Sequence, residues 1–336
     1  MTPGVRQTVP PNVALVGCGA IARALYLPTL AMHRAKFGSL WLIDPSDLAR
    51  SRAAAVVPGK EARRLLDVDD EIHLVIIAAP NQLHYPLAQE ALSRGAHVLL
   101  EKPFVVWPEE GRRLIEAAQV HNRVIAVNQT RRFFALTGEL RRRIEGGEFG
   151  PLRSIVHREG VKLTWPFESG AGFTQGALRT GVIMDFGVHV VDFYHYLLHP
   201  RWTVVSAIHD GFQGPEGLAQ IELQANDVPV SLLLSRYYPQ ENVGHLAFEG
   251  ADVLFNVYDT NTYTVRSRTG RATAFSAART AAAGAAHAEL LLLNFLAACE
   301  KDEPAVCDAA SSLPVIEILD QVYALAGRYS TQVGSV

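Results

Sequence analysis

Short, nearly continuous aliphatic runs alternate with stretches of helical spacing over the first 130 residues. The runs are Val13–Val16, Leu40–Ile43, Leu74–Ala78, His97–Leu100 and Val124–Val127. The helical stretches are Ala20–His33, Asp47–Val56, Gln82–Arg94 and Glu109–His121. Runs that are apolar at every position, rather than at every second one, fit parallel strands covered on both faces. Strand and helix in regular alternation predict βαβ units wound into a parallel sheet, an α/β domain over residues 1–130.

The texture changes near residue 150. Strand-like runs now follow one another at Leu152–Glu159, Val204–Asp210, Leu218–Gln224, Val230–Tyr237, His245–Glu249, Val253–Val257 and Thr262–Arg266. Asn226-Asp227 and Glu249-Gly250 read as hairpin turns. Helical patterns interrupt at Ile183–Leu198, Glu289–Glu300 and Ser311–Tyr329. Residues 131–336 are therefore expected to form an α+β domain with a large, mostly antiparallel open sheet. A sheet open on one side favours a homodimer or homotetramer. The alanine-rich stretch Thr273–Ala288 reads as a loop running into a helix, and Arg141–Arg143 as a solvated helix face.

Charge and composition narrow the function classes. The 336 residues carry 31 Lys+Arg against 34 Asp+Glu, a formal net charge of −3, and 49% are hydrophobic. That excludes disorder for most of the chain, and it disfavours a nucleic-acid partner, whose binding rests on phosphate neutralisation. Cys18, Cys299 and Cys307 are too few and too scattered for a disulfide framework or a zinc site, so no metal is expected. Met1–Asn12 reads as a loose tail, with no apolar run for a secretory signal. Leu290–Leu293 is far too short to span a bilayer. The expectation is a soluble cytoplasmic protein with no membrane partner.

Chemistry enters at the ends of the strands. Gly17-Cys-Gly-Ala-Ile-Ala22 follows the first run and opens a helix. Glycines there permit a tight turn and a close backbone approach to a pyrophosphate, and the helix N-terminus favours the anion. This predicts a Rossmann dinucleotide-binding domain. Asp44 ends the second run, where a carboxylate accepts hydrogen bonds from ribose hydroxyls; it also suits a helix cap, since Pro45-Ser-Asp follows. A carboxylate repels a 2′-phosphate, so NAD is expected over NADP, with Arg50 the nearest basic side chain. Ala78-Ala-Pro-Asn-Gln-Leu-His84 lies at the end of the third run. Glu101-Lys-Pro103 follows the fourth and places a lysine at a strand carboxyl end. In Gly181-Val-Ile-Met-Asp-Phe-Gly-Val-His-Val-Val-Asp192, the spacing i, i+4, i+7 puts Asp185, His189 and Asp192 on one helix face. An Asp and a His one turn apart make an acid/base couple.

These motifs, in this order, resemble the glucose-fructose oxidoreductase/inositol dehydrogenase/MocA-type (Gfo/Idh/MocA) oxidoreductases from Asn12 to about Gly327. The resemblance implies a nicotinamide cofactor, a sugar-like substrate and Lys102, Asp185 and His189 as the catalytic set. Motifs and resemblance together give a cofactor set of Gly17, Gly19, Ala20, Ile21, Ala22, Asp44, Ala79, Pro80, Asn81, His84, Glu101, Lys102 and Asn128. The expected reaction moves a hydride to or from a secondary hydroxyl or ketone carbon of a sugar, cyclitol or sugar derivative. Two alternatives stay open. A redox-neutral glycosidase or epimerase would retain its NAD; a non-catalytic dinucleotide sensor would need neither Lys102 nor His189.

The chain departs from the family pattern at two places, the first of which bears on substrate. Many members have three glycines ahead of the aspartate, where this chain has Arg179-Thr180-Gly181, and Ala79 stands where threonine is common. Arg179 puts a guanidinium at the expected pocket rim; it either meets an anionic or nucleotide-linked sugar or pairs with an acidic neighbour such as Glu168. Arg131 and Arg132, just past the fifth run, are further substrate candidates. Trp165 reads equally as a sugar-stacking platform and as core.

Overall fold

The computed structural model describes residues 10–162, 179–211, 215–277, 285–301 and 303–328. They fall into two compact units, each assembled from several stretches of chain. The first takes Met1–Glu101, Arg112–Asn128 and Gly284–Ala309; the second takes Lys102–Gly111, Gln129–Ala283 and Ala310–Val336.

The first unit is built on a six-stranded sheet: β1 (Val13–Val16), β2 (Leu40–Ile43), β3 (Lys60–Ala62), β4 (Leu74–Ile77), β5 (His97–Leu100) and β6 (Ile125–Val127). Every pairing is parallel, in the order β3-β2-β1-β4-β5-β6. This is the doubly wound order, which places its ligand outside the carboxyl ends of the strands where the order reverses, at β1 and β4. Burial follows the sequence pattern, with all four residues of β1 and of β4 inside. Edge strand β3 has no such signal because Lys60 and Glu61 are exposed.

The helix predicted over Ala20–His33 is a π turn, Ala22–Tyr26, running into α1 (Leu27–Met32), whose second residue is Pro28. Proline has no N–H to give the preceding turn, and a wider turn accommodates that loss. Helices α2 (Asp47–Ala54) and α3 (His84–Ser93) follow their strands; Ser46 caps α2 through the Ala49 N–H. Between β5 and β6 runs α4 (Pro108–His121). The first unit is completed from far downstream. Asp308 bridges to Ala126 of β6, and the Val127 N–H donates to the Cys307 carbonyl at 2.7 Å. Ala288, Leu291, Leu292 and Phe295 of a late helix (Ala285–Lys301) are buried.

The second unit carries a nine-stranded sheet, ordered β14-β13-β12-β11-β7-β10-β9-β8-β15. Its strands are β7 (Leu152–Gly160), β8 (Trp202–His209), β9 (Leu218–Ala225), β10 (Val228–Ser235), β11 (Val243–Phe248), β12 (Ala251–Asn256), β13 (Thr262–Ser267), β14 (Ala272–Ser276) and β15 (Gly327–Arg328). All pairings are antiparallel except β7 with β10 and β8 with β15. The hairpin turn at Asn226 and Asp227 has φ of 50° and 67°, as a two-residue primed turn requires. Strand β14 lies in the alanine-rich stretch read as a loop. Its exposed positions leave no apolar face to signal it.

Buried positions alternate along β9 and β10, and Val205 and Ile208 of β8 remain exposed. Among the described residues this unit has three α-helices: α5 (Ala135–Glu145), α6 (Val188–Leu198, preceded by a π turn at Ile183–Gly187) and α8 (Ala309–Leu325), with the late helix of the first unit as α7. Of the arginines read as a solvated face, Arg143 is buried. It pairs with Glu148, donates to the Tyr263 hydroxyl and lies 4.2 Å from the Phe275 ring centre. A run of three arginines hides this, because one of three consecutive helix positions turns inward whatever its charge. Among the described residues no helix is long and apolar enough to cross a membrane.

Candidate functional site

The first unit gathers its chemistry at the carboxyl ends of β1, β2 and β4. Gly17 has φ of 93°, and a Cβ there would lie 2.4 Å from the Ala78 carbonyl oxygen, so the turn after β1 is packed against the turn after β4. Gly19 is different: nothing lies within 4 Å of where its Cβ would stand. That open side of the loop is a cradle in which a bound group meets bare backbone. Ala20, Ile21 and Ala22 open the helix, and the first N–H groups of a helix have no intrahelical acceptor. Together they suit a pyrophosphate.

Asp44 serves as a clasp between loops. Its carboxylate accepts the Cys18 N–H at 2.9 Å and the Ser46 N–H at 2.8 Å, while Ser46, not Asp44, caps α2. Arg50 is committed nearby, donating to the Asp44 carbonyl at 2.6 Å, to Asp47 at 2.6 Å and to Glu61 at 3.2 Å. Arg23, not singled out by sequence, extends from the same turn toward the Cys18 carbonyl at 3.4 Å. Cys18 itself is fully buried, and burial pushes its thiol up to about 12.

Three side chains expected among the cofactor contacts, His84, Glu101 and Asn128, are buried. His84 is fully buried, with Nε2 3.0 Å from the Ala79 carbonyl, so it shapes the Ala79-Pro80-Asn81 turn from behind. Glu101 accepts the Tyr26 hydroxyl at 2.7 Å and the Asn128 amide at 2.6 Å, and all three are buried. Burial and the Glu101 carboxylate push the Tyr26 phenol well up, so it stays a donor. The motif Glu101-Lys-Pro103 thus divides. Glu101 ties β5 and β6 to the helix after β1, while the chain passes into the second unit at Lys102.

In the second unit Lys102 and Asp185 form an ion pair, and Lys Nζ also reaches the Asp185 carbonyl at 3.2 Å. The Lys102–Pro103 peptide is cis. Arg236, which follows β10, pairs with the other Asp185 oxygen. Two cations therefore bracket one carboxylate. Burial alone would raise Asp185, but Lys102 and then Arg236 hold it well below the usual carboxylate range. His189 is pushed well below the ordinary imidazole value by burial first, then by Lys102 and Arg131, against the pull of Asp185 and Glu159. Its buried Nδ1 has no hydrogen-bond partner among the described residues.

Asp185 lies in the π turn Ile183–Gly187, while His189 and Asp192 follow in α6, and Asp185 and His189 lie within electrostatic reach of each other. Asp185 goes to Lys102 and Arg236 rather than to the imidazole, and Asp192 goes to Arg132. Glu216 fastens the start of this segment. Its carbonyl accepts the Val182 N–H at 2.8 Å, and its carboxylate accepts the Ile183 N–H at 3.1 Å and the Tyr323 hydroxyl at 2.6 Å. A Cβ on Gly181 would overlap that carboxylate at 2.1 Å, which fixes glycine there.

The arginines named as substrate candidates all have carboxylate partners. Arg131 grips Glu159 through two nitrogens at 3.0 and 2.6 Å. Arg132 grips Asp192 at 3.0 and 2.6 Å, with both side chains only 1% exposed, and also donates to Ser311. A substrate anion would have to displace a buried carboxylate to reach Arg132. Arg179 pairs with Asp320 at 2.6 Å and lies over the Trp107 ring at 3.9 Å. Its acidic neighbour is thus Asp320; Glu168 and Trp165 lie outside the described residues. Sequence reasoning missed Tyr26, Arg236, Glu216 and Glu159. Each reaches its partner through sheet register or helix packing, and no local spacing marks it. No group of three His, Cys, Asp or Glu side chains that could hold a metal ion occurs among the described residues.

Comparison with known proteins agrees in both halves. Residues 11–129 match the family profile described as an oxidoreductase family with an NAD-binding Rossmann fold, and residues 137–291 match the GFO/IDH/MocA C-terminal domain. The chain belongs to the Gfo/Idh/MocA oxidoreductase family. Its first unit is accordingly an NAD(P)-binding Rossmann domain. Among Gfo/Idh/MocA relatives, an uncharacterised oxidoreductase, YdgJ, of Escherichia coli is 31% identical over 191 residues, 54% of this chain and 51% of that one. An inositol 2-dehydrogenase of Corynebacterium glutamicum is 31% identical over 219 residues, 61% of each chain. The chain thus spans under two thirds of the length of these curated relatives. In structure, a 3-ketoreductase of Actinomadura kijaniata, solved with NADP and TDP-benzene, superposes with a TM-score of 0.82 at 20% identity, over 95% of this chain and 99% of that one.

Proposed function

We propose that this protein is an NAD(H)-dependent oxidoreductase acting on a secondary hydroxyl or ketone carbon of a sugar, cyclitol or related polyol. The observation that carries this reading is the buried neutral imidazole of His189 beside a carboxylate bracketed by two cations. A neutral imidazole accepts a hydroxyl proton, and an ammonium stabilises the alkoxide that remains. Lys102 is the ammonium, Asp185, itself held by Arg236, keeps it in place, and His189 moves the proton. In the reverse direction the same imidazole, once protonated, returns the proton to the carbonyl oxygen.

The open side at Gly19, with Gly17, Ala20–Ala22 and Asp44, fits a dinucleotide. Bound there, a nicotinamide supplies the hydride donor or acceptor that the chain itself lacks. Asp44 would hold ribose hydroxyls through whatever acceptor capacity its two backbone contacts leave. Asp44, Asp47 and Glu61 around a committed Arg50 form acidic surroundings for a 2′-phosphate, which favours NAD(H). One named relative is an inositol 2-dehydrogenase and the superposed structure is a 3-ketoreductase, which supports the substrate class.

Polyol oxidation with NAD⁺ and with NADP⁺, in the unaltered chain and in Lys102→Ala and His189→Ala, tests the reading. Each substitution should lower the rate by roughly 10²–10⁴, with cofactor binding retained. Near-normal turnover in His189→Ala would remove the imidazole from the mechanism. NADPH binding tighter than NADH by tenfold or more, about 1.4 kcal/mol, would overturn the cofactor preference.

A further inference from the structure

Four strand ends of the second unit converge on Glu159. In β7, Glu159 pairs in parallel register with Leu234 of β10 and Gly160 with Ser235, and the next residue of β10's course is Arg236, which holds Asp185. On the other side Arg158 pairs with Val243 of β11, and Val243 with Asn256, the last residue of β12. Asn242 stitches these ends. Its side chain accepts the Gly160 N–H at 2.8 Å, and its carbonyl accepts the Val257 N–H at 2.9 Å. Tyr258 follows directly, and its hydroxyl lies 3.1 Å from a Glu159 oxygen.

Glu159 is 1% exposed and Tyr258 is 48% exposed. Arg131 and the His157 ring, itself next to the Tyr194 hydroxyl, occupy the rest of the carboxylate. Arg131 and His157 hold Glu159 far below the carboxylate range, so it is ionised and can only accept. The single hydroxyl proton of Tyr258 is therefore committed inward. What the phenol oxygen keeps for a further partner is its acceptor capacity.

We infer that Tyr258 is a substrate-recognising residue whose hydroxyl, oriented by the buried Arg131–Glu159 pair, accepts a hydrogen bond from a non-reacting hydroxyl of a neutral polyol. The assignment rests on the proposed polyol oxidation. Polarity follows from geometry. An acceptor fixed in this way welcomes an O–H or N–H and gains nothing from a carboxylate or phosphate oxygen. It also gives Arg131 an indirect role, two contacts removed from substrate. Glu159 pairs with Leu234, two residues before the Arg236 that holds Asp185, so the acceptor stands at the same strand ends as the catalytic charges.

The test compares the unaltered chain with Tyr258→Phe on methyl β-D-glucopyranoside and myo-inositol, and on their monodeoxy analogues at non-reacting carbons. One analogue should lose roughly three- to tenfold in kcat/KM with the unaltered chain, through KM, the span expected of one hydrogen bond. Tyr258→Phe should show that same loss on the parent polyol and no further loss on that analogue, with a cooperative melting transition retained. A uniform loss across all analogues, a fall confined to kcat, or no change in any of them overturns the assignment while leaving polyol oxidation standing. Failure of the unaltered chain to oxidise either parent with NAD⁺ or NADP⁺ overturns the proposed function and the assignment with it.

Discussion

His189 has a buried ring nitrogen with no partner among the described residues, and two nearby cations that penalise its protonation. Such an imidazole stays neutral well into acid. The acid limb of kcat/KM for polyol oxidation should therefore fall below about pH 6.5, the ordinary imidazole value. In Lys102→Met the limb should move back toward neutrality, because one of the opposing charges is gone. Stability has the same sign. The unfolded chain takes up a proton near pH 6.5 that the folded imidazole refuses, so stability is lost as pH falls through that value. Asp185 adds to the loss at lower pH, since its depressed folded value makes protonation favour the unfolded chain. Melting temperatures between pH 7 and 5 should drop more for the unaltered chain than for His189→Gln. An acid limb at or above 6.5 would contradict the picture.

The loop after β1 separates two uses of glycine. Gly17→Ala meets both a positive φ and a carbonyl at 2.4 Å, so it should destabilise the first unit by more than 1 kcal/mol, on the order of ordinary strained positions. Gly19→Ala meets nothing, so denaturant unfolding should be almost unchanged while dinucleotide binding weakens at least about tenfold. Equal losses of stability in the two variants would sink the distinction. Elements of this kind were legible wherever burial imposes a period. Strands β1, β2 and β5 end where their apolar runs end, and the helix span Ile183–Leu198 is right to the residue. The π turns were not legible, because apolar spacing does not tell a wide turn from a normal one. Strands β3 and β14 were missed because they are exposed and polar or alanine-rich. The same limit governs the site. Lys102, Asp185 and His189 announce themselves as motifs, whereas Arg236 and Glu159 acquire meaning only when β7 and β10 are set side by side.

At the scale of the molecule, the chain passes between its two units five times, at 101/102, 111/112, 128/129, 283/284 and 309/310. Neither unit is a continuous segment. A fragment of residues 1–128 contains every strand of the parallel sheet but lacks α7, whose Leu291, Leu292 and Phe295 are buried in the first unit. Exposing that apolar surface should cost the fragment its cooperative unfolding. Calorimetry should show a broad, weak transition, and a sharp one would mean that α7 is dispensable. The arrangement also bears on synthesis. All six parallel strands have left the ribosome once residue 127 has emerged, yet the segment that completes them ends at residue 309. At about 5–20 residues per second, the nucleotide-binding half waits roughly 10–40 s for its last helix, while eight of the nine strands of the other sheet, β7 to β14, are threaded out in the interval. Nascent chains stalled anywhere in that window present an open apolar sheet. Chaperone demand for this protein is thus written into the order of its segments rather than into the stability of its finished fold.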